Sequence, residues 1–179
     1  MKGFERKNPL FSLCGLNCAL CPMLLGGHCG GCGNGNQSCK VARCSLDHGK
    51  VEYCYECPEY PCERHLHIDE YDSFITHKRR KRDLVKAQEI GVEAYTLELL
   101  EKRKYLGYLL SDCNDGRRKG FFCLAANLLE LSDLQGVIDG MCGGELALSS
   151  VKERGAYAAD AFKRIADSRN IVLKLAKKK

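Results

Sequence analysis

Ten cysteines fall between Cys14 and Cys62, and most of them come in pairs. Cys18/Cys21, Cys29/Cys32 and Cys54/Cys57 are C-x2-C pairs, Cys39/Cys44 is a C-x4-C pair, and Cys14 and Cys62 stand alone. Around them, runs such as "GGHCGGCGNGNQSC" are almost entirely turn-formers, and large apolar residues are few. Such a stretch cannot fold on a hydrophobic core alone. Disulfides or metal–thiolate bonds have to take the place of the missing core.

The chain holds thirteen cysteines in all, an odd number that a fully oxidised monomer cannot pair. The opening "MKGFERKNPLFSL" has charges and a proline where a secretory apolar region would sit, so a cytoplasmic, reducing compartment is expected. No apolar run approaches the roughly 18 residues of a membrane span. Metal binding is therefore the expectation. Metal-binding knuckles bend the backbone sharply, which accounts for glycines beside the C-x2-C pairs. Structural zinc contributes on the order of 10 kcal/mol or more to folding, so residues 14–62 are expected to be largely disordered without metal.

Zinc, at about two ions, is the cofactor the spacing favours. Two four-thiolate sites would draw on Cys14, Cys18, Cys21, Cys29, Cys32, Cys39, Cys44, Cys54, Cys57 and Cys62 and leave two thiols over. Those two could bridge, join a third site completed by histidine, or stay reduced. His28, His48, His65 and His67 are near enough in sequence to contribute, with His28 and His65 each within three residues of a cysteine. Spacing alone leaves the partnering open. The alternative is a [4Fe–4S] cluster, since Cys14, Cys18 and Cys21 form C-x3-C-x2-C, a three-cysteine cluster spacing. Nothing after Cys62, however, alternates strand with helix as a barrel around such a loop would.

"CGLNCALCP", "CGGC", "CKVARC" and "YCYECPEYPCE" together resemble an uncharacterised prokaryotic family of cysteine-rich proteins, the domain of unknown function numbered 3795. Its pattern is a CGLxCxxCP opening, a CxGC pair, a C-x4-C element and a CxxCxxYPCE close, and all ten cysteines match in order. "NDGRRKGFFCLAANLLEL" and the lysine-rich end are similar to its longer members, so the resemblance spans nearly the whole chain. It implies a cysteine-rich, zinc-binding module and no particular reaction.

Beyond residue 66 the pattern turns helical. The expected architecture is mainly α: a small, irregular, zinc-knuckle-like module over residues 1–66, packed on a multi-helix domain over residues 67–179. Apolar periodicity predicts helices over 71–90, ended by Gly91, and over 92–110. The segment 120–131 is apolar almost all round and should form a buried central helix. Ser132 is the expected N-cap of a short helix, and Ser149 or Ser150 that of a last helix reaching Lys177. Cys113, Cys123 and Cys142 have no partner at ligand spacing and read as core thiols.

The "KRRKR" run, Lys78–Arg82, cannot turn all its charges to one side of a helix, and a solvated basic face is expected. Asn114-Asp115-Gly116 looks like a turn that would deliver Arg117 and Arg118 to an anion or phosphate. Each four-thiolate zinc site carries a formal −2, so two would bring the formal +5 of the chain to about +1. Nucleic acid is thus disfavoured as a partner, and a protein partner is preferred. Three classes of function remain. One is a structural zinc scaffold. Another is an enzyme with a pocket near Asn114–Arg118 and Asn127, against which stands the lack of a recognisable catalytic constellation. The last is a thiol-redox or metal-transfer protein.

Overall fold

The computed structural model describes residues 2–143 and 149–177. Eight α-helices and two single 3-10 turns carry these residues, and no strand occurs among them. The mainly helical class expected from the sequence is the one observed. The chain divides into two compact units, one running to Leu99 and joined by Ala176, the other Leu100–Leu175. The cysteine-rich stretch lies inside the first unit, which continues past residue 66 into helices α4 (Arg80–Ile90) and α5 (Val92–Asp112).

The first unit hangs on residues 9–13. Cys32 donates its backbone N–H to Pro9 O at 3.0 Å, Ala19 to Leu10 O at 2.8 Å and Cys54 to Leu13 O at 2.9 Å. Three stretches distant in sequence are thereby fastened to one segment. Its side chains Phe11 and Leu13 are fully buried. The Phe11 ring packs against Tyr53 at 5.5 Å and Tyr95 at 4.8 Å between centroids. Phe4, Leu13 and Ala42 form a small cluster on which Cys32, Cys39 and Cys54 pack. The cysteine segment therefore does share a modest core, supplied largely from residues before Cys14. Gly31 (φ +87°) lets the backbone pass so close to Pro9 that a Cβ would overlap its carbonyl oxygen.

Helix α1 (Pro22–Leu25) starts on Pro22, whose missing N–H would be an unsatisfied donor there in any case. Helices α2 (Lys40–Asp47) and α3 (Glu63–Leu66) follow. The expected helix over 71–90 begins only at Arg80. Before it, the Asp72 carboxylate draws in the His77 N–H at 2.6 Å, the Thr76 hydroxyl at 3.2 Å and the Ala176 N–H at 2.7 Å, and this competes with helical bonding. A buried polar chain then ties the cysteine loop to the helices. Asn17 Nδ2 donates to Asp83 Oδ2 at 2.8 Å, and Tyr95 Oη to Asn17 Oδ1 at 3.0 Å.

In the second unit, helix α6 (Lys119–Leu128) buries Phe122 through Leu128, as its composition predicted, but it ends before residue 131 because Leu129 is extended. Helix α7 (Leu131–Met141) is capped by Glu130 and Asp133 reciprocally, not by Ser132. The cap shifts because Asp133 Oδ2 accepts the Glu130 N–H at 2.9 Å. Helix α8 (Val151–Ser168) starts on Ser150, whose hydroxyl accepts from the Glu153 N–H. It stops at Ser168 and not near Lys177, because Asn170 turns the chain with a φ of +55°. Phe122 meets Phe162 edge-on at 6.4 Å. Cys113 and Cys123 are buried as expected, whereas Cys142 is exposed at the end of α7, where the helix has stopped supplying a buried face. Among the described residues no helix is long and apolar enough to cross a membrane.

Candidate functional site

Two C-x2-C pairs adopt the same local form. Cys18–Leu20 and Cys54–Glu56 are 3-10 turns, each closed by the second cysteine donating its N–H to the carbonyl of the first, at 3.0 Å for Cys21 and 3.1 Å for Cys57. The pair Cys29/Cys32 is held differently, by the bond of Cys32 to Pro9. The C-x4-C pair is split by helix α2. Cys39 caps its start and Cys44 lies inside, and five positions at about 100° each leave them on different sides of the helix.

The cysteines gather as two groups that keep each C-x2-C pair together and part Cys44 from Cys39, which neighbours Cys32. In the first, Cys18 has Cys32, Cys14, Cys21 and Cys29 as charge neighbours. Burial is the main influence raising the Cys18 thiol far above its ordinary pKa, and those four neighbours add to it. Cys32 is pushed up to about 11, mainly by burial, while a backbone hydrogen bond from Leu13 and the nearby Arg6 pull against the rise. Gly35 leans on this group so closely that a Cβ there would overlap Cys29 Sγ. Cys14 Sγ lies 3.2 Å from the Ser12 hydroxyl.

In the second group, Cys44, Cys54, Cys57 and Cys62 line one cavity of about 30 Å³, together with His48, Tyr60, Arg64 and His65. Burial drives the Cys54 thiol far upward, with Cys14 and Cys62 adding to the shift. Cys44 is raised by burial and by Cys62 and Cys57, against the pull of Arg64. Cys14 thus neighbours thiols of both groups. All these residues belong to the first unit, whereas Asn114–Arg118 lies in the second.

Of the histidines, only His65 is buried, at 3% exposure. Its ring stands edge-on to Tyr60, with centroids 4.8 Å apart, and its Nε2 has no hydrogen-bond partner. Burial first, then Arg80 and Lys81, lower its pKa and keep the imidazole neutral. His48 donates Nδ1–H to the Cys44 carbonyl at 2.8 Å and faces Glu59 at 3.2 Å across its other nitrogen. His67 pairs with Glu70 at 2.5 Å, and His28 is exposed.

Three arginines supply counter-charge that sequence reasoning missed. Arg6, whose side chain is fully covered, bonds Phe11 O at 3.0 Å and stacks 4.8 Å above the Tyr53 ring, near Cys32. Arg80 lies near Cys54 and donates to Cys14 O at 3.1 Å and Ile68 O at 3.0 Å. Arg64 donates to Cys44. Only Arg80 sat in a noticed motif, and the basic run there is largely absorbed by the fold. Arg79 pairs with Asp83 at 3.7 Å and Lys81 with Asp69 at 2.8 Å, so it is not a solvated face throughout.

The second unit disposes of the other candidates locally. Arg118 pairs with Asp115 at 2.5 Å, and Asn114 Oδ1 accepts the backbone N–H groups of Gly116 at 3.2 Å and Arg118 at 2.9 Å. Arg117 is exposed and gives its backbone N–H to Asp115. Asn127 donates to Cys123 O within its own helix at 2.8 Å, so the amide on an apolar helix has a purely local explanation. Lys178 and Lys179 lie outside the described residues.

As to fit, the donor chemistry of the second group suits a thiophilic ion. It offers four thiols and a neutral buried imidazole nitrogen without a partner around one cavity. The thiols surround that cavity at a wider spread than coordination needs: no set of three or more His, Cys, Asp or Glu among the described residues is drawn together tightly enough to grip an ion as it stands. Loading would have to draw the sulfurs inward. No protein-family model, curated protein or solved structure matches the chain.

Proposed function

We propose that the first unit is a zinc-binding scaffold that holds about two ions, one drawing its ligands from each group of cysteines and the residues beside it, and presents a surface to a protein partner. The observation carrying this reading is the cavity lined by Cys44, Cys54, Cys57 and Cys62, cysteines from helix α2 and from the loop beyond it. The first ion would be held by thiols drawn from Cys14, Cys18, Cys21, Cys29 and Cys32. The zinc would supply cross-links where apolar contacts are few. The nearby Arg6, Arg64 and Arg80 offset the formal negative charge of zinc thiolates. Sites closed by four protein ligands leave no position for a reacting water, which favours a structural role over hydrolysis. The resemblance to the cysteine-rich family numbered 3795 points the same way.

Elemental analysis and an absorption spectrum of protein purified without oxygen test this reading. About two zinc ions per chain without visible absorbance are expected. Iron and sulfide with a broad visible band would replace it by an iron–sulfur cluster on a set such as Cys14, Cys18 and Cys21.

A further inference from the structure

Cys54, Cys57, Cys62 and His65 read C-x2-C-x4-C-x2-H, and all four line the same cavity. The backbone N–H of His65 donates to Cys62 O at 2.8 Å, so the turn that starts α3 joins the last two of these residues. The His65 ring is buried and braced by Tyr60, and its Nε2 is without a partner. An orphaned polar atom in the interior is destabilising, so one placed among thiols calls for a ligand of its own. The cavity is lined by six soft or borderline donors, whereas a tetrahedral zinc takes four; His48 has both ring nitrogens engaged, by the Cys44 carbonyl and by Glu59. Cys44 is the other donor already engaged elsewhere. Arg64 donates to it, and its Sγ lies 3.6 Å from His48 Nδ1. It also comes from helix α2, whereas the other four belong to one short stretch.

Resting on the zinc reading above, we infer that His65 Nε2 is a ligand of the second ion, which is held by Cys54, Cys57, Cys62 and His65, while Cys44 remains a neighbouring thiol outside the coordination sphere.

Cobalt(II) titrated into the reduced, metal-free, full-length chain under anaerobic conditions tests this. The ions bound and the thiolate-to-cobalt charge-transfer intensity per ion are read for the wild type and for His65→Ala, His65→Cys and Cys44→Ser. The wild type should take two ions. His65→Ala should weaken the second by more than about 100-fold, because losing an outer-sphere partner alone costs about 10–100-fold. His65→Cys should recover that ion with charge transfer raised by one thiolate. Cys44→Ser should match the wild type in both readouts. The inference is overturned, with the zinc reading intact, if His65→Ala matches the wild type, if Cys44→Ser loses the second ion, or if His65→Cys fails to recover it. A wild type that takes up no cobalt overturns the zinc reading and this inference with it.

Discussion

The buried guanidinium of Arg80 reaches from the first turn of helix α4 to the carbonyl of Cys14, donating from Nε at 3.1 Å. From Nη1 it also donates to Ile68 O at 3.0 Å. One side chain thus fixes the start of the cysteine segment, and the stretch just beyond its end, to the same helix. Hydrogen bonds to charged groups contribute about 1.5–3 kcal/mol each. Arg80→Met should therefore lower the unfolding free energy of the metal-loaded protein by about 3 kcal/mol, read from urea melts. A loss under about 1 kcal/mol would show that the two carbonyls find other partners.

Gly15 passes directly beneath that same helix turn, with φ at +89°; a Cβ there would overlap the Arg80 carbonyl and meet Leu84 Cγ at 2.9 Å. Backbone strain of this kind costs about 1–3 kcal/mol before any clash is counted. Gly15→Ala should therefore destabilise by more than about 3 kcal/mol. Gly3→Ala, also at positive φ but with nothing within 4 Å, should show only the strain component. Thermal melts of the two variants separate the contributions.

Half-buried thiols such as Cys18, Cys54 and Cys32 stay protonated at neutral pH, with Cys32 pushed up to about 11. Metal ligation needs thiolates, so zinc uptake at pH 7 should release about one proton per coordinating cysteine. Apparent affinity should accordingly climb with pH through the neutral range and flatten only as the thiols themselves begin to ionise, near pH 11 for Cys32. A pH indicator in weakly buffered, metal-free protein measures the release directly. Zinc uptake without proton release would mean that the ligands are not these thiols.

Chelation should act on one unit selectively. Among the described residues of 14–62 the buried apolar side chains besides cysteines are Ala19, Leu20, Ala42 and Tyr53, whereas α6, α7 and α8 bury a continuous apolar face. Stripping metal with a strong chelator should raise amide exchange across 14–62 by orders of magnitude and leave 119–168 protected. Exchange mass spectrometry resolves the two. Equal protection before and after would exclude metal as the source of order.

In the second unit, Asp133 both caps α7 and receives Arg169 at 2.6 and 2.7 Å through its two oxygens. Asp133→Ala removes the cap and leaves Arg169 without this partner, and should cost about 2 kcal/mol. Arg169→Ala spares the cap and should shift the midpoint far less than Asp133→Ala, because that side chain is 45% exposed. Denaturant midpoints of the pair distinguish cap from ion pair.

How much of this was legible beforehand differs by element. Helix α6 announced itself because an all-round apolar run has only a buried helix open to it, and Ser150 because a cap is a local bond three residues long. The start of α4 was hidden: Asp72 withholds residues 71–79 from the helix through bonds to His77 and to Ala176, the latter over a hundred positions away. Cys142 misled for a related reason, since an apolar residue type does not reveal whether its turn of helix still faces the core.

The cysteine spacing by itself set the expectation of knuckles and cross-links, and because a C-x2-C turn closes locally, two of the three pairs, Cys18/Cys21 and Cys54/Cys57, do form closed turns. Which knuckles share a neighbourhood was decided only in three dimensions. Helix α2 turns Cys39 and Cys44 to different sides, and residues 9–13 gather the loops of Cys21, Cys32 and Cys54 by backbone hydrogen bonds that depend on no side-chain identity. The burial of His65 was likewise beyond the sequence, because it depends on Tyr60 and the cavity wall closing over a ring that spacing shows only to be close to Cys62.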